Sequence, residues 1–324
     1  MRMRPLLLLD AAILLICFSF SFALADYNLR VLNLAVISAV AVVGFNFAFG
    51  AAGLISLGHA AFVGMGAYGD AILTTRLGLS PWFAMPVAIL LTTLFATGIG
   101  YPLLRLKGHY LALATLGLNV SFYIVSANWI DLTGGTNGIS GIPYISVAHL
   151  AFSDERRFLW CGLIVLALVA TMANFIQNSR YGRAMVAVRD DETAATMTGI
   201  NVTGVKVSAF ALSGGCAAIA GCLFASHVGF VAPEDFNFTH SITYLAMLIA
   251  GGEGTASGAI LGAVLLTFLP EWLRFLGAAY LAFFGLMMLA ILIFLPSGIV
   301  GIARRRPRKG PHGLSPILTT WAPP

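Results

Sequence analysis

IQNSRYGRAMVAVRDDETAATMTGINVTGVK, residues 176 to 206, is a polar stretch in a chain that is otherwise almost continuously apolar. Backbone and charge of that kind do not sit in hydrocarbon, so the segment must emerge on one side of a membrane and orders the apolar runs around it. Local chemistry predicts a short helix within it. Asp190, Asp191 and Glu192 stand where negative charge favours a helix start, and Gly199 stands where a glycine ends one. Glu192, Ala194, Ala195 and Gly199 set an E-x-A-A-x-x-x-G spacing, with Gly182, Arg183 and Arg189 ahead of it. From the residues alone, such a loop is either a solvated connection between helices or a capped plug that docks on another protein.

Composition sets the class around that loop. Of the 324 residues, 59% are hydrophobic and only 10% charged, against roughly 25% charged in soluble domains. Apolar runs that reach or approach the roughly 17 to 25 residues needed to cross a bilayer lie near 6–25, 31–49, 54–73, 82–104, 110–127, 158–175, 207–229, 258–275 and 278–295. The apolar run at 241–250 is too short for a comfortable crossing. Alternating barrel strands would not give such unbroken runs. The expected fold is all-α: a polytopic transmembrane helical bundle of about ten membrane segments, at least one short or broken. It forms one domain over 1–300, followed at 301–324 by a basic, Pro-rich tail expected to be disordered and cytoplasmic.

Orientation follows the basic residues. With a cytoplasmic N-terminus, the inner side receives Arg2, Arg4, Arg105, Lys107, Arg180, Arg183, Arg189, Lys206 and the tail cations, 13 of the 18 Lys and Arg. Arg30, Arg76, Arg156, Arg157 and Arg274 are left outside. The tail falls inside only if 241–250 counts as a crossing or as half of a re-entrant pair. Trp82, Trp129, Trp160 and Trp272 then mark outer span ends, as an interfacial belt requires. The net charge of +5 is accounted for by topology, without a nucleic-acid partner. Cys17, Cys161, Cys216 and Cys222 show no metal spacing and read as thiols in or beside spans. Arg2, Arg4 and Ala23-Leu24-Ala25 imitate a signal peptide, but the apolar run between them is longer than usual and predicts a retained helix.

Two glycine-rich stretches stand in opposite halves, at 44–59 and 250–258. They read equally as broken helices of an inverted repeat lining a permeation path or as glycines that let helices pack closely. On the first reading Ser56, Leu57, Gly58 and His59 line the path from one half, and Thr255 and Ser257 from the other. Exposed backbone N–H groups there would attract a substrate carboxylate. His59 alone reads as a hydrogen-bonded residue at a helix start. Asp70, between Gly66 and Arg76, is expected near the outer interface and hydrated, while Glu253 depends on whether its glycine break reaches water.

Four ordered blocks carry a family resemblance: GFNFAFGAAGLISLGHAAFVGMGAY (44–68), RLKGHYLALATLGLN (105–119), LTGGTNGISGIP (132–143) and the 182–201 string. Together they resemble the branched-chain amino-acid (LivM-type) permeases of ABC importers, and the 176–206 loop resembles their cytoplasmic coupling loop. The resemblance covers about 31–300. It implies the fold of the vitamin B12 and ribose importer permeases in a bacterial inner membrane. It also implies a sister permease, two ATPase subunits and a periplasmic binding protein as partners, with membrane lipid around them. Gly182, Arg183, Arg189, Asp190, Asp191, Glu192, Ala194, Ala195 and Gly199 would then form the surface that meets an ATPase. One departure is Thr115-Leu116-Gly117-Leu118-Asn119, where relatives often carry a Glu soon after the T-L-G.

No phosphate-binding loop occurs in the chain. Catalysis, a resident cofactor and a metal are therefore not expected, and ATP belongs on partner subunits. An ion-coupled secondary transporter using His59, Asp70 and Glu253 is the competing class, but it has no need for a docking loop. Within the ABC reading, the cargo is branched-chain or other hydrophobic amino acids, with urea, amides or aromatic acids as alternatives.

Overall fold

The computed structural model describes residues 17, 26–106, 108–147, 150–151, 154–273, 285–286, 289 and 298–303. The expected spans at 6–25 and 278–295 and the tail therefore lie almost wholly outside the described residues. Twelve α-helices are described: α1 (Asp26–Asn46), α2 (His59–Thr75), α3 (Pro81–Leu103), α4 (His109–Asn128), α5 (Ile130–Thr133), α6 (Glu155–Asn178), α7 (Arg180–Asp190), α8 (Glu192–Met197), α9 (Val202–Val228), α10 (Phe238–Gly251), α11 (Ala256–Trp272) and α12 (Gly298–Ala303). Five are long and apolar enough to cross a membrane: α1 with the π-helical turn that extends it to Ala51, then α3, α4, α6 and α9. The count of ten segments is thus not reached among the described residues.

The all-α expectation holds for the bundle but not for its end. Among the described residues there are four two-residue strands, β1 (Ile139–Ser140), β2 (Ser146–Val147), β3 (Leu150–Ala151) and β4 (Phe230–Val231). Antiparallel pairing of Ile139 with Val231 and Ser140 with Phe230 ties the α5–α6 connection to the segment after α9. This is the cap end of the bundle. The other end carries α7 and α8, separated from the cap by α6, which at about 1.5 Å per residue is roughly 36 Å long. Trp82, Trp129, Trp160 and Trp272 all sit at cap-end helix termini and are all exposed. Arg30, Arg76, Arg156 and Arg157 share that end, whereas Arg105, Arg180, Arg183, Arg189 and Lys206 share the loop end.

The core is built on α1, which is buried along most of its length, against α6, α9 and α11. Polar clamps hold the cap end of α1. The Asn33 amide donates to the Glu155 carbonyl and carboxylate at 2.9 and 2.8 Å, and the Tyr27 hydroxyl donates to Glu271 at 2.6 Å. α3 and α4 instead leave Leu90, Leu91, Leu94, Leu113 and Ile124 exposed, as a lipid-facing surface requires.

Two expectations change here, for the run at 54–73 and for Asp70, while the run at 241–250 is short, as expected. The apolar run at 54–73 is not one helix: residues 54–58 are irregular, with a bend at Leu57, and α2 begins only at His59. The run at 241–250 is α10, whose 14 residues give about 21 Å against a hydrocarbon core of about 30 Å. Asp70 is fully buried rather than hydrated, with Ser226 Oγ donating to its carboxylate at 3.4 Å. The reason is the small-residue seam between α2 and α9. Gly66, one turn before Asp70, packs on the backbone of Ala218, and Gly221 packs on the Val63 carbonyl, so the helices close over the carboxylate.

Candidate functional site

The 176–206 loop holds two helices where one was expected. Ser179 Oγ caps α7 by accepting from the N–H groups of Tyr181 and Gly182 at 3.1 and 3.3 Å. Gly182 sits so close to the carbonyls of Ile176 and Gln177 that a Cβ there would overlap them. One carboxylate oxygen of Asp191 caps α8 by accepting from Thr193 and Ala194 N–H at 2.8 and 3.0 Å. Gly199 then ends α8 at φ +81°. The Gly199 N–H bonds the Thr196 carbonyl, and the Ile200 N–H bonds the Ala195 carbonyl, which is the Schellman pattern of a glycine-terminated helix. Asn201 caps α9 in turn, accepting from Gly204 N–H at 3.0 Å. Every turn of this loop is thus written in its local sequence.

Burial separates an inner from an outer face. Met185, Val188 and Ala195 seat the loop on the bundle. Lys206, 6% exposed, forms an ion pair with Glu192 and fixes α8 against the first turns of α9. Arg183, Asp190, Asp191 and Ala194 are exposed, together with the apolar Val186 and Met197, the latter 83% exposed; Val186 also borders the cavity that Arg189 lines. Sequence reasoning missed Val186 and Met197. Their signal was present, since both are apolar residues inside the chain's most polar stretch.

Arg189 points the other way. Its guanidinium donates to the Gly50 carbonyl at 2.7 Å, across 139 residues of sequence, and bonds Asp190 at 3.3 Å. Gly50 lies in the π-helical turn Phe47–Ala51, where α1 ends, and Gly53 beyond it packs on the Arg189 stem. The second glycine stretch reaches the same place: the Gly254 N–H donates to the Asn46 side chain at 2.8 Å. Between them lies a cavity of about 270 Å³ lined by Gly50, Asn174, Gln177, Arg189, Gly254 and Thr255. The structure therefore brings the loop and both glycine breaks together at the loop end of the bundle. Gly254 and Glu253 are exposed there, in a turn of four residues between α10 and α11 rather than at mid-membrane depth.

Of the other residues expected on the path, Ser257 follows Thr255 in the first turn of α11, while Ser56, Leu57, Gly58 and His59 lie apart from both. The Leu57 N–H donates to Thr115 Oγ1 at 2.9 Å, the Gly58 N–H to Ser56 Oγ at 3.3 Å, and the Ala60 N–H to Ser241 Oγ at 3.0 Å. Protein hydroxyls thus occupy N–H donors that a substrate carboxylate was expected to find. His59 is buried, stacked on Phe45 with ring centroids 4.5 Å apart. Its Nε2 faces the Ala41 carbonyl at 2.9 Å; a carbonyl only accepts, so Nε2 carries the proton and a neutral ring accepts from Ser213 Oγ at 3.4 Å through Nδ1. Burial alternates along 54–57: Leu54 and Ser56 are buried, Ile55 is exposed, and Leu57 is half-buried. Thr255 Oγ1 accepts from Gly258 N–H at 3.1 Å as the cap of α11, while the buried Ser257 hydroxyl has no partner among the described residues. Asn119, in the T-L-G block, is likewise fully buried with neither end of its amide bonded. No group of three or more His, Cys, Asp or Glu capable of holding a metal ion occurs among the described residues.

Comparison with known proteins places these features. Residues 27–295 match the family described as "Branched-chain amino acid transport system / permease component". The high-affinity branched-chain amino acid transport system permease protein LivM of Salmonella typhimurium is 33% identical over 90% of this chain and 74% of its own length. LivM of Escherichia coli is 32% identical over the same shares. More distantly, the autoinducer 2 import system permease protein LsrC of Yersinia pseudotuberculosis is 29% identical over 68% of this chain and 65% of its own length. No solved structure matches.

Proposed function

The chain belongs to the branched-chain amino acid transport permease family, a family of transport subunits rather than enzymes, and from that premise we propose that it is the membrane-spanning subunit of an ATP-driven, binding-protein-dependent importer for branched-chain or other hydrophobic amino acids. ATP binds on two partner ATPase subunits, a sister permease completes the pathway, and a periplasmic protein delivers the cargo. The protein sits in a bacterial inner membrane with the loop end, and both termini, in the cytoplasm. The full count of about ten segments and the inverted repeat belong to the same proposal, supported by the two broken connections that meet at Asn46 and Gly254.

The observation that carries this reading is the loop itself: two capped helices whose outer face is charged and apolar, while Arg189 reaches from their inner face to the π-turn of α1. A push on α7 is passed to Gly50 through one hydrogen bond, and from there to Gly254 through Asn46. Ser56, Leu57, Gly58, His59, Thr255 and Ser257 belong to the route through the segments this relay moves; Ile55 and Leu57 are the side chains turned out of the subunit, and the buried hydroxyls hold the segment in place behind them. The test is L-leucine uptake into proteoliposomes holding the permeases, ATPases and binding protein. Glu192→Lys puts a second cation beside the buried Lys206 and loosens α8, and should leave the bundle membrane-inserted while uptake per ATP hydrolysed falls at least ~10-fold. Full coupled uptake by the variant would make the loop a mere linker. Uptake of urea or aromatic acids in place of leucine would reassign the cargo and leave the subunit's role intact.

A further inference from the structure

A second cavity, of about 440 Å³, opens between α1, α10 and α11 on the cap side of the glycine turn, and its wall is divided by chemistry. Leu34, Ile37, Phe224, Phe236, Met247 and Leu266 make the apolar part. Asp235, His240, Thr243 and Tyr244, all within one short stretch, make the polar part. The size falls in the roughly 300 to 1,000 Å³ range of small-molecule sites, which combine apolar walls with a few convergent polar groups. We propose that this cavity binds an α-amino acid with an aliphatic side chain, as a station on the way through the subunit.

The polar groups match a zwitterion in both halves. Acceptors for an ammonium come from two sides. Asp235 spends one oxygen on the Ala232 N–H at 3.0 Å, which leaves lone pairs for a second donor. Pro270 of α11, in the same lining, supplies no N–H to the carbonyl of Leu266, one turn earlier. Beside that carbonyl the Thr267 hydroxyl is buried without a partner among the described residues, a state that costs about 1 to 3 kcal/mol unless water or a ligand bonds it. Donors for a carboxylate come from the Tyr244 phenol and the His240 ring. An aliphatic side chain fills the Leu34, Ile37 and Met247 side, which a polar cargo such as urea would leave empty. The site also touches the first glycine break, because the Tyr244 ring meets His59 edge-on at 5.8 Å. Tyr244 thus stands between a bound amino acid and His59, the residue that follows 54–58.

This inference rests on the importer reading, so the experiment carries both. In the assembled transporter without its binding protein, equilibrium binding of radiolabelled L-leucine should be saturable. Competition by 3-methylbutylamine, which lacks the carboxylate, and by 4-methylpentanoate, which lacks the ammonium, should each be at least ~10-fold weaker than by leucine. Thr243→Phe, which fills the space, should abolish binding. Thr267→Val, which removes one hydroxyl at constant size, should weaken it ~5-fold, the worth of one hydrogen bond, and remains informative if the larger variant fails to fold. Leucine binding unchanged in both variants, equal competition by the amine, or no saturable binding in a transporter that still takes up leucine would each overturn the site and leave the importer reading standing. A transporter that takes up no amino acid at all would overturn the importer reading, and the site with it.

Discussion

The glycine stretches at 44–59 and 250–258 are close to interchangeable on paper, and the molecule uses them for different ends. In the first, α1 finishes in a π-turn, residues 54–58 run without regular structure, and α2 starts beside Ala41, well back toward the middle of the bundle. Its backbone is held by distant side chains, Thr115 and Ser241. In the second, two helices meet at a four-residue turn, and the glycines serve contact: α10 and α11 cross so closely that a Cβ at Gly251 would overlap the Gly258 carbonyl, and one at Gly262 would overlap that of Met247. One stretch is an unwound connection tied down by hydroxyls and the other a tight helix–helix contact. Close packing is not confined to the second, since a Cβ at Gly44 would overlap Cys216 and one at Gly58 the Thr115 carbonyl.

That contrast breaks if substitutions in the two stretches behave alike. Gly251→Val should be the most damaging change in the chain, costing ~3 kcal/mol or more because backbone rather than a flexible side chain blocks the new atoms; thermal unfolding of the detergent-solubilised protein reads it. Gly199→Val, at φ +81° but with open space around it, should cost ~1 to 2 kcal/mol, confined to α8, with a larger drop in ATPase assembly measured by co-purification. Arg189→Ala removes a half-exposed side chain and should cost only ~1 kcal/mol of stability. The same change should lower uptake per ATP several-fold, with Arg189→Lys restoring part of it. Smallest is Ser56→Ala, which frees one N–H beside a helix start and should cost ~0.5 kcal/mol. A Ser56→Ala effect as large as that of Gly251→Val would mean that the first stretch is packed as rigidly as the second.

What the sequence made legible follows the range of the forces involved. The short helix of the 176–206 loop was readable because Asp191 and Gly199 act on backbone groups within five residues, so local chemistry alone caps and ends α8. The gathering of Trp82, Trp129, Trp160 and Trp272 at one end of the bundle was readable for a related reason, since the depth preference of a Trp is set residue by residue. The irregular run at 54–58 was not, because Leu54 and Ile55 continue an apolar pattern and what holds it is Thr115, far along the chain. Asp70 was misplaced for the same reason: its shield is α9, and Ser226 lies 156 residues away. The contact of Arg189 with Gly50 spans 139 residues and has no signature at either end. An arginine in a basic loop reads as a surface charge until the fold turns it inward.

Cross-linking tests the central claim most directly, namely that the 176–206 loop is where the subunit receives its energy. In the assembled transporter, with Cys17, Cys161, Cys216 and Cys222 replaced, a cysteine at Ala194 on the outer face of α8 and another at Thr136 on the cap end would be offered to a short bifunctional thiol reagent. The account predicts that Ala194→Cys cross-links to an ATPase subunit, with a yield that changes when ATP is trapped, and that Thr136→Cys never does. Cross-linking at position 136, or none at 194 in any nucleotide state, would contradict it.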